Sequence, residues 1–154
     1  MNALAPSLTD VTDHLAGFLK AAGDPLRLQV LQVLGQNSFG VLELCEIMAM
    51  KQSGMSHHLK VLAKGGLVEK RREGNSICYR RRLPQVDDAE GAVHSALLDE
   101  LDDGSLNEEV AARLEQVQQQ RAEQSRAFFA RHAEQHDAQQ ELIAEYGQYA
   151  EQAC

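Results

Sequence analysis

The sequence predicts a mainly α fold with a small β-hairpin and a long C-terminal helical extension. Three observations carry that expectation. Apolar residues recur at helical spacing from Val11 to Leu62; the pair Gly65-Gly66 is followed by two short runs, "LVEKRR" and "SICYRRR", joined at Glu73-Gly74-Asn75; and the apolar stripes beyond Pro84 again keep a helical period.

Val11, Leu15, Phe18, Leu19 and Ala22 form one stripe of a first helix ending near Gly23. Asp24 then offers an N-cap, Pro25 a first helical position where its missing N–H costs nothing, and Gly35 a terminator. Leu26, Leu28, Val30, Leu31, Val33 and Leu34 cover most of this second helix, which places it at the centre of the core. "VLELCEIM" is a third, short helix, and Ala49 to Lys51 turn the chain into a fourth. In the fourth, Met55, Leu59 and Leu62 face inward, while Ser53, His57, Lys60 and Lys64 share the opposite face with Gln52 and Ser56 beside them. The two following runs read as strands around a turn whose Gly and Asn tolerate positive φ. A short helix, a tight turn, a polar-faced helix and a basic hairpin make a winged helix-turn-helix, whose second helix reads base edges in the major groove while nearby basic side chains hold phosphates.

Charge supports a duplex partner. Through Leu83 there are eleven Lys/Arg against seven Asp/Glu, and from Pro84 onward four against sixteen, so a net charge of −8 hides a basic first half. Such a segment is an electrostatic footprint for phosphates, and the acidic remainder opposes indiscriminate binding. At 154 residues the chain suits one domain plus an extension, divided here as 1–103 and 104–154. Three widely spaced cysteines, no long apolar run and no signal-peptide pattern read as a cytoplasmic chain without a disulfide framework. With no nucleophile paired to a base and no phosphate-cradling loop, no catalytic residue is nominated and an enzyme is disfavoured.

The segment "SGMSHHLKVLAKGGLVEKRREGNSICYR" closely resembles the recognition helix and wing of the arsenic-repressor (ArsR) family of bacterial regulators, and the likeness extends over about Leu15 to Leu83. The resemblance implies a homodimeric repressor that binds an inverted-repeat DNA operator and leaves it when a small-molecule inducer binds. By position, Gln52, Ser53, Ser56, His57, Lys60 and Lys64 are the expected groove contacts, and Arg71, Arg72, Asn75 and Arg80 the expected wing contacts. The dimer is expected to pair through Leu15, Phe18 and Leu19 of the first helix and Val93, Leu97 and Leu101 after the wing. Two departures bear on the recognition helix. Lys51 stands where the family often has a Ser N-cap, and Gly54 in the first turn costs up to ~1 kcal/mol relative to Ala.

Metal-sensing members of the family carry a C-x-C in the third helix, but here Cys45 is followed by Ile47 at the second position. A lone cysteine there is expected to be core filler, and an arsenite, metal or thiol-redox switch on Cys45 is the alternative reading. The helix after the wing offers only His94 with scattered carboxylates, too few for the zinc pattern of other members. His57 and His58 point about 100° apart on a helix, so DNA contact for the first and packing for the second is expected. His132 and His136 have chelating i, i+4 spacing but lack a third donor, so no metal site and no required cofactor is predicted.

Ser105 and Glu108 read as a capping box opening a last helix with Leu106, Val110, Leu114 and Val117 as its seam. The stretch "QQQRAEQSR" that follows is polar all round, which suggests a solvated connector or a marginally ordered segment. "RAEQSRAFFARHAEQHDAQQELIAEYGQY" resembles the junction joining some family members to an S-adenosylmethionine-dependent methyltransferase domain, although no glycine-rich cofactor turn occurs here. That resemblance implies an adenosyl-sulfur inducer, S-adenosylhomocysteine, held between the winged core and the helices beyond Pro84. Phe128, Phe129 or Tyr146 would then stack on its purine.

Overall fold

The computed structural model describes the backbone of residues 8–152 and the side chains of 10–144. The element order is α1 (Leu8–Ala22), α2 (Pro25–Val33), α3 (Val41–Met48), α4 (Gln52–Lys64), β1 (Val68–Glu73), β2 (Ser76–Arg81), α5 (Gly91–Asp103) and α6 (Glu108–Gln152). The expected fold class is therefore the observed one. Two compact units divide after Leu114.

The first unit is built on α2. Asp24 caps it as expected, its Oδ1 accepting from the backbone N–H groups of Leu26 at 2.9 Å and Arg27 at 3.1 Å. The bond from Arg27 holds the Asp24 carboxyl below its ordinary pKa, against the opposing effect of burial. Val30 and Leu31 are fully buried, as are Leu44 and Ile47 of α3 and Met55, Leu59 and Leu62 of α4. Each such side chain contributes about 1.5–3 kcal/mol through burial, before the entropy of ordering it is counted.

Long side chains from other elements seal the C-terminal ends of the helices, where carbonyls lack intrahelical donors. Arg27 donates through Nε to the Ala21 carbonyl at 2.6 Å and through Nη2 to that of Lys20 at 3.2 Å, closing α1. Arg81 donates through Nε to Leu31 at 2.6 Å near the end of α2, and Arg113 to Ile47 at 2.7 Å near the end of α3. Gln32 performs the same service for Leu101 of α5 at 3.2 Å.

Between α3 and α4 the chain turns at Ala49, which adopts a left-handed conformation with φ 52. After α4 the chain runs so close to α1 that a Cβ on Gly65 would lie 2.4 Å from that of Ala21, so only glycine fits there. β1 and β2 pair antiparallel from Val68↔Arg81 to Glu73↔Ser76. The turn is thus two residues, Gly74-Asn75, and Gly74 alone takes positive φ, at 63. Phe39, in the loop before α3, adds a bridge to Tyr79 through reciprocal backbone bonds of 3.1 and 2.8 Å. Nothing in the alternation of "QNSFG" signals that pairing.

One expectation about a helix start is corrected. The last helix opens at Glu108, and its cap is Asn107, whose Oδ1 accepts from the Glu109 N–H at 2.9 Å; Ser105 lies outside it. An Asx side chain reaching two residues forward satisfies the first free donor directly, which leaves the more distant Ser105 without that task. The stretch "QQQRAEQSR" is continuous helix, and every side chain from Ala122 to Ala144 is exposed. The first turns of α6 belong to the winged unit, with Val110 buried there.

α1 and α5 meet where the His94 ring stands 5.2 Å from that of Phe18. His94 is 4% exposed, and its Nε2 has no hydrogen-bond partner among the described residues. Burial, reinforced by Arg82 and Arg81 and opposed by Glu90 and Asp88, pushes its pKa below the ordinary histidine value. The unfolded chain therefore binds a proton that the fold excludes, and this term raises stability with pH through the region below about 6.5. His94→Phe keeps an aromatic ring against Phe18 and should flatten that rise. Urea melts at about pH 5 and about pH 7.5 test it, and an unaltered pH slope in the variant would remove His94 from the account.

Candidate nucleic-acid interface

α4 divides as its spacing requires. Met55, Leu59 and Leu62 are fully buried, whereas Gln52, Ser53, Ser56, His57, Lys60 and Lys64 are all exposed. An amide, hydroxyls, an imidazole and ammonium groups on one face supply both donors and acceptors for base edges and positive charge for phosphates. Lys51 stands at the N-cap without a side-chain bond, so the first turn of α4 lacks the cap that a Ser would give.

The adjacent histidines take different environments. Their rings stand 5.7 Å apart, edge to face. His57 is exposed, whereas His58 is half-buried with Nδ1 3.3 Å from Nη1 of Arg27. A guanidinium can only donate, so in this contact Nδ1 of His58 is the acceptor. His58 thus ties α4 to α2.

The wing is sorted by the pleat. Residues facing each other across an antiparallel pair share a side, so Arg71 and Arg80 lie on one face with Glu69, and Arg72 on the other with Lys70 and Tyr79. Arg80 forms an ion pair with Glu69 directly across the hairpin. The Lys70 ammonium sits 5.9 Å over the Tyr79 ring. Arg71, Arg72 and Asn75 are exposed, the last at the tip of the turn. Arg81, next in the same basic run, has a side chain only 9% exposed and an ion pair of 2.7 Å with Asp102. Its partners lie far along the chain, so a reading of local pattern does not separate it from its exposed neighbours.

The side chains expected at a dimer seam behave unequally. Leu19 is 50% and Val93 39% exposed, and Leu15, Leu97 and Leu101 are half-buried. Phe18, at 2% exposure, is occupied inside the protomer by His94, so its ring belongs to the core. The aromatic residues expected to hold an inducer stand on α6. Phe128 and Phe129 are 52% and 67% exposed, and the Phe128 ring lies 4.2 Å from that of His132 at a tilt of 47°; the side chain of Tyr146 lies outside the described residues. Cys45 is half-buried, and burial pushes its thiol pKa up, which disfavours the thiolate needed for metal or redox chemistry. No cluster of three His, Cys, Asp or Glu side chains with metal-binding geometry occurs among the described residues. Nor is any helix among them long and apolar enough to cross a membrane.

Comparison with known proteins fits this arrangement. Residues 22–71 match a family model described as a helix-turn-helix domain. A helix-turn-helix transcriptional regulator of Methanocaldococcus jannaschii is 42% identical over 68 residues, which are 44% of this chain and 76% of that protein. The arsenical resistance operon repressor of Staphylococcus xylosus is 35% identical over 67 residues, 44% of this chain and 64% of that protein. The solution structure of a homodimeric winged helix-turn-helix DNA-binding domain from Mycobacterium bovis, a possible ArsR-family regulator, superposes with a TM-score of 0.52 at 30% identity. It covers 70% of this chain and 94% of that one. With the polar face of α4, the basic wing and the order of elements, these likenesses place the chain in the ArsR family of winged helix-turn-helix transcriptional regulators.

Proposed function

We propose that the protein is a homodimeric repressor that binds an inverted-repeat operator in double-stranded DNA and is released by a small organic inducer. The observation that carries this reading is the division of α4. Three core residues at zero exposure fix the helix, and six polar or cationic side chains are left on the face it presents to solvent. A buried face this regular makes the outward face rigid, as sequence readout requires. The names of the relatives support repression and pairing, and the exposed Leu19 and Val93 offer the apolar surface that a second copy would cover. The resemblance of the tail to regulator–methyltransferase junctions supports an adenosyl-sulfur metabolite such as S-adenosylhomocysteine as inducer. Ile47 in place of a second cysteine, together with the burial that pushes the Cys45 thiol pKa up, argues against a metal or redox trigger.

Selection from a randomised duplex pool supplies an operator with which to test these roles. Lys60→Ala and Arg72→Ala should weaken binding to all duplexes and lower the slope of log K against log salt by about one unit each. His57→Ala should leave the slope alone and relax base preference by about 1–3 kcal/mol at one position. Unchanged slopes in both cationic variants would place the duplex on another surface.

A two-fold dimer should select half-sites about 10 bp apart or a multiple of that spacing. Leu97→Glu sets a charge in the proposed seam and should cost both dimer and specific binding; sedimentation of an intact dimer in that variant would move the seam off α5.

Cys45→Ser should leave induction unaltered. Arsenite release of the wild-type protein from DNA that is abolished in Cys45→Ser would instead make Cys45 the sensor.

A further inference from the structure

We infer that the cavity between the wing and α5 is a binding site for a zwitterionic metabolite of the α-amino acid class, and that its occupant competes with DNA for the arginines of the wing. This inference rests on the repressor reading above and gives its inducer a location and a chemistry.

The cavity measures about 520 Å³, within the usual range for small-molecule sites, and is walled by the end of α2, the hairpin and α5. Its two long walls carry opposite charge. The hairpin supplies Arg71, Arg80 and Arg81 with a single carboxylate, Glu73, so its wall stays net positive, whereas α5 supplies Asp99 and Asp102 beside the apolar Leu98. Only part of this charge is neutralised across the walls. Arg81 is bound to Asp102 through Nη1, and Arg80 to Glu69 through Nε, but Arg71 and Asp99 have no ion pair among the described residues. Nη2 of Arg81 belongs to a side chain more than nine-tenths buried and has no hydrogen-bond partner among the described residues. A buried donor of that kind is destabilising until an acceptor reaches it. At Gly35, a Cβ would stand 3.1 Å from that nitrogen, so a side chain there would crowd the guanidinium.

A simple anion entering this space meets the carboxylates of α5, and a simple cation meets the arginines. A ligand whose carboxylate faces the hairpin and whose ammonium faces Asp99 satisfies both walls, and the volume leaves room for a substantial side chain. The site is also separate from the proposed dimer seam. On α5, His94 and Leu98 point into the core and Val93, Leu97 and Leu101 form the seam, whereas Ser95, Asp99 and Asp102 turn toward the cavity. Pairing of two copies therefore leaves it open. Because Arg71 and Arg80 share one face of the hairpin, a carboxylate held there engages the groups that would otherwise meet phosphate.

The test uses the full chain without DNA first. Calorimetric titration with each of the twenty L-α-amino acids and with S-adenosylhomocysteine should find at least one binder with Kd below about 1 mM. N-acetylation or decarboxylation of that binder, and Asp99→Asn in the protein, should each weaken it about tenfold or more. Asp99 is exposed and outside the DNA-contacting set, so Asp99→Asn should retain its melting temperature and its DNA affinity without ligand, yet lose release by the ligand. Absence of any binder in the panel, or equal affinity in Asp99→Asn, overturns the inference. Failure of the wild-type protein to bind any selected duplex would defeat the repressor reading instead, and the titrations would still report on the cavity.

Discussion

The carbonyls left free where helices end constrain this molecule more than any single hydrophobic contact. Short helices have many ends for their length, and each buried end needs donors from elsewhere. The fold meets this with side chains long enough to cross between elements: Arg27 for α1, Arg81 for α2, Arg113 for α3 and Gln32 for α5. Each of the three arginine bonds is charge-assisted, worth about 1.5–3 kcal/mol, and carries direction, which apolar burial does not. The same guanidinium groups then reach a second partner, His58 for Arg27 and Asp102 for Arg81. In this way the sealing of one helix fixes the position of another, and α4 inherits its orientation from the end of α1.

The basic run from Lys51 to Arg82 therefore serves two purposes that composition cannot separate. Arg81 spends its charge inside the fold, and Arg82 lies 3.6 Å from Asp88 at the entry to α5. Lys60, Lys64, Arg71 and Arg72 remain at the surface. The division follows from place in the pleat and distance to a carboxylate, not from residue type.

Helix order, the inward stripe of α4, the Asp24 cap and the hairpin were legible in the sequence because each rests on contacts within a few residues. The polar face of α4 followed from the same periodicity. What could not be read depended on distant partners. Phe39 pairs with Tyr79 from an unpatterned loop, and Phe18 was diverted from a surface stripe into the core by an imidazole on another helix. The start of α6 was misplaced because the capping-box spacing pointed to Ser105, whereas it is the side chain of Asn107 that takes the Glu109 N–H. The cavity beside the wing was invisible for the same reason, since its opposing walls lie on either side of a loop and meet only in space.

Ala49 bears on how the motif assembles. An alanine in the left-handed region is opposed by its own Cβ at a cost of roughly 1–2 kcal/mol. Two local backbone bonds offset part of that cost, one from the Ala49 N–H to the Glu46 carbonyl at 3.3 Å and one from the Met50 N–H to that of Cys45 at 3.0 Å. Burial of Met55, Leu59 and Leu62 offsets the remainder. The angle of the reading helix is accordingly fixed twice, by the backbone bonds of the turn that precedes it and by the three side chains it buries, so a change at either place would re-aim the surface offered to a duplex.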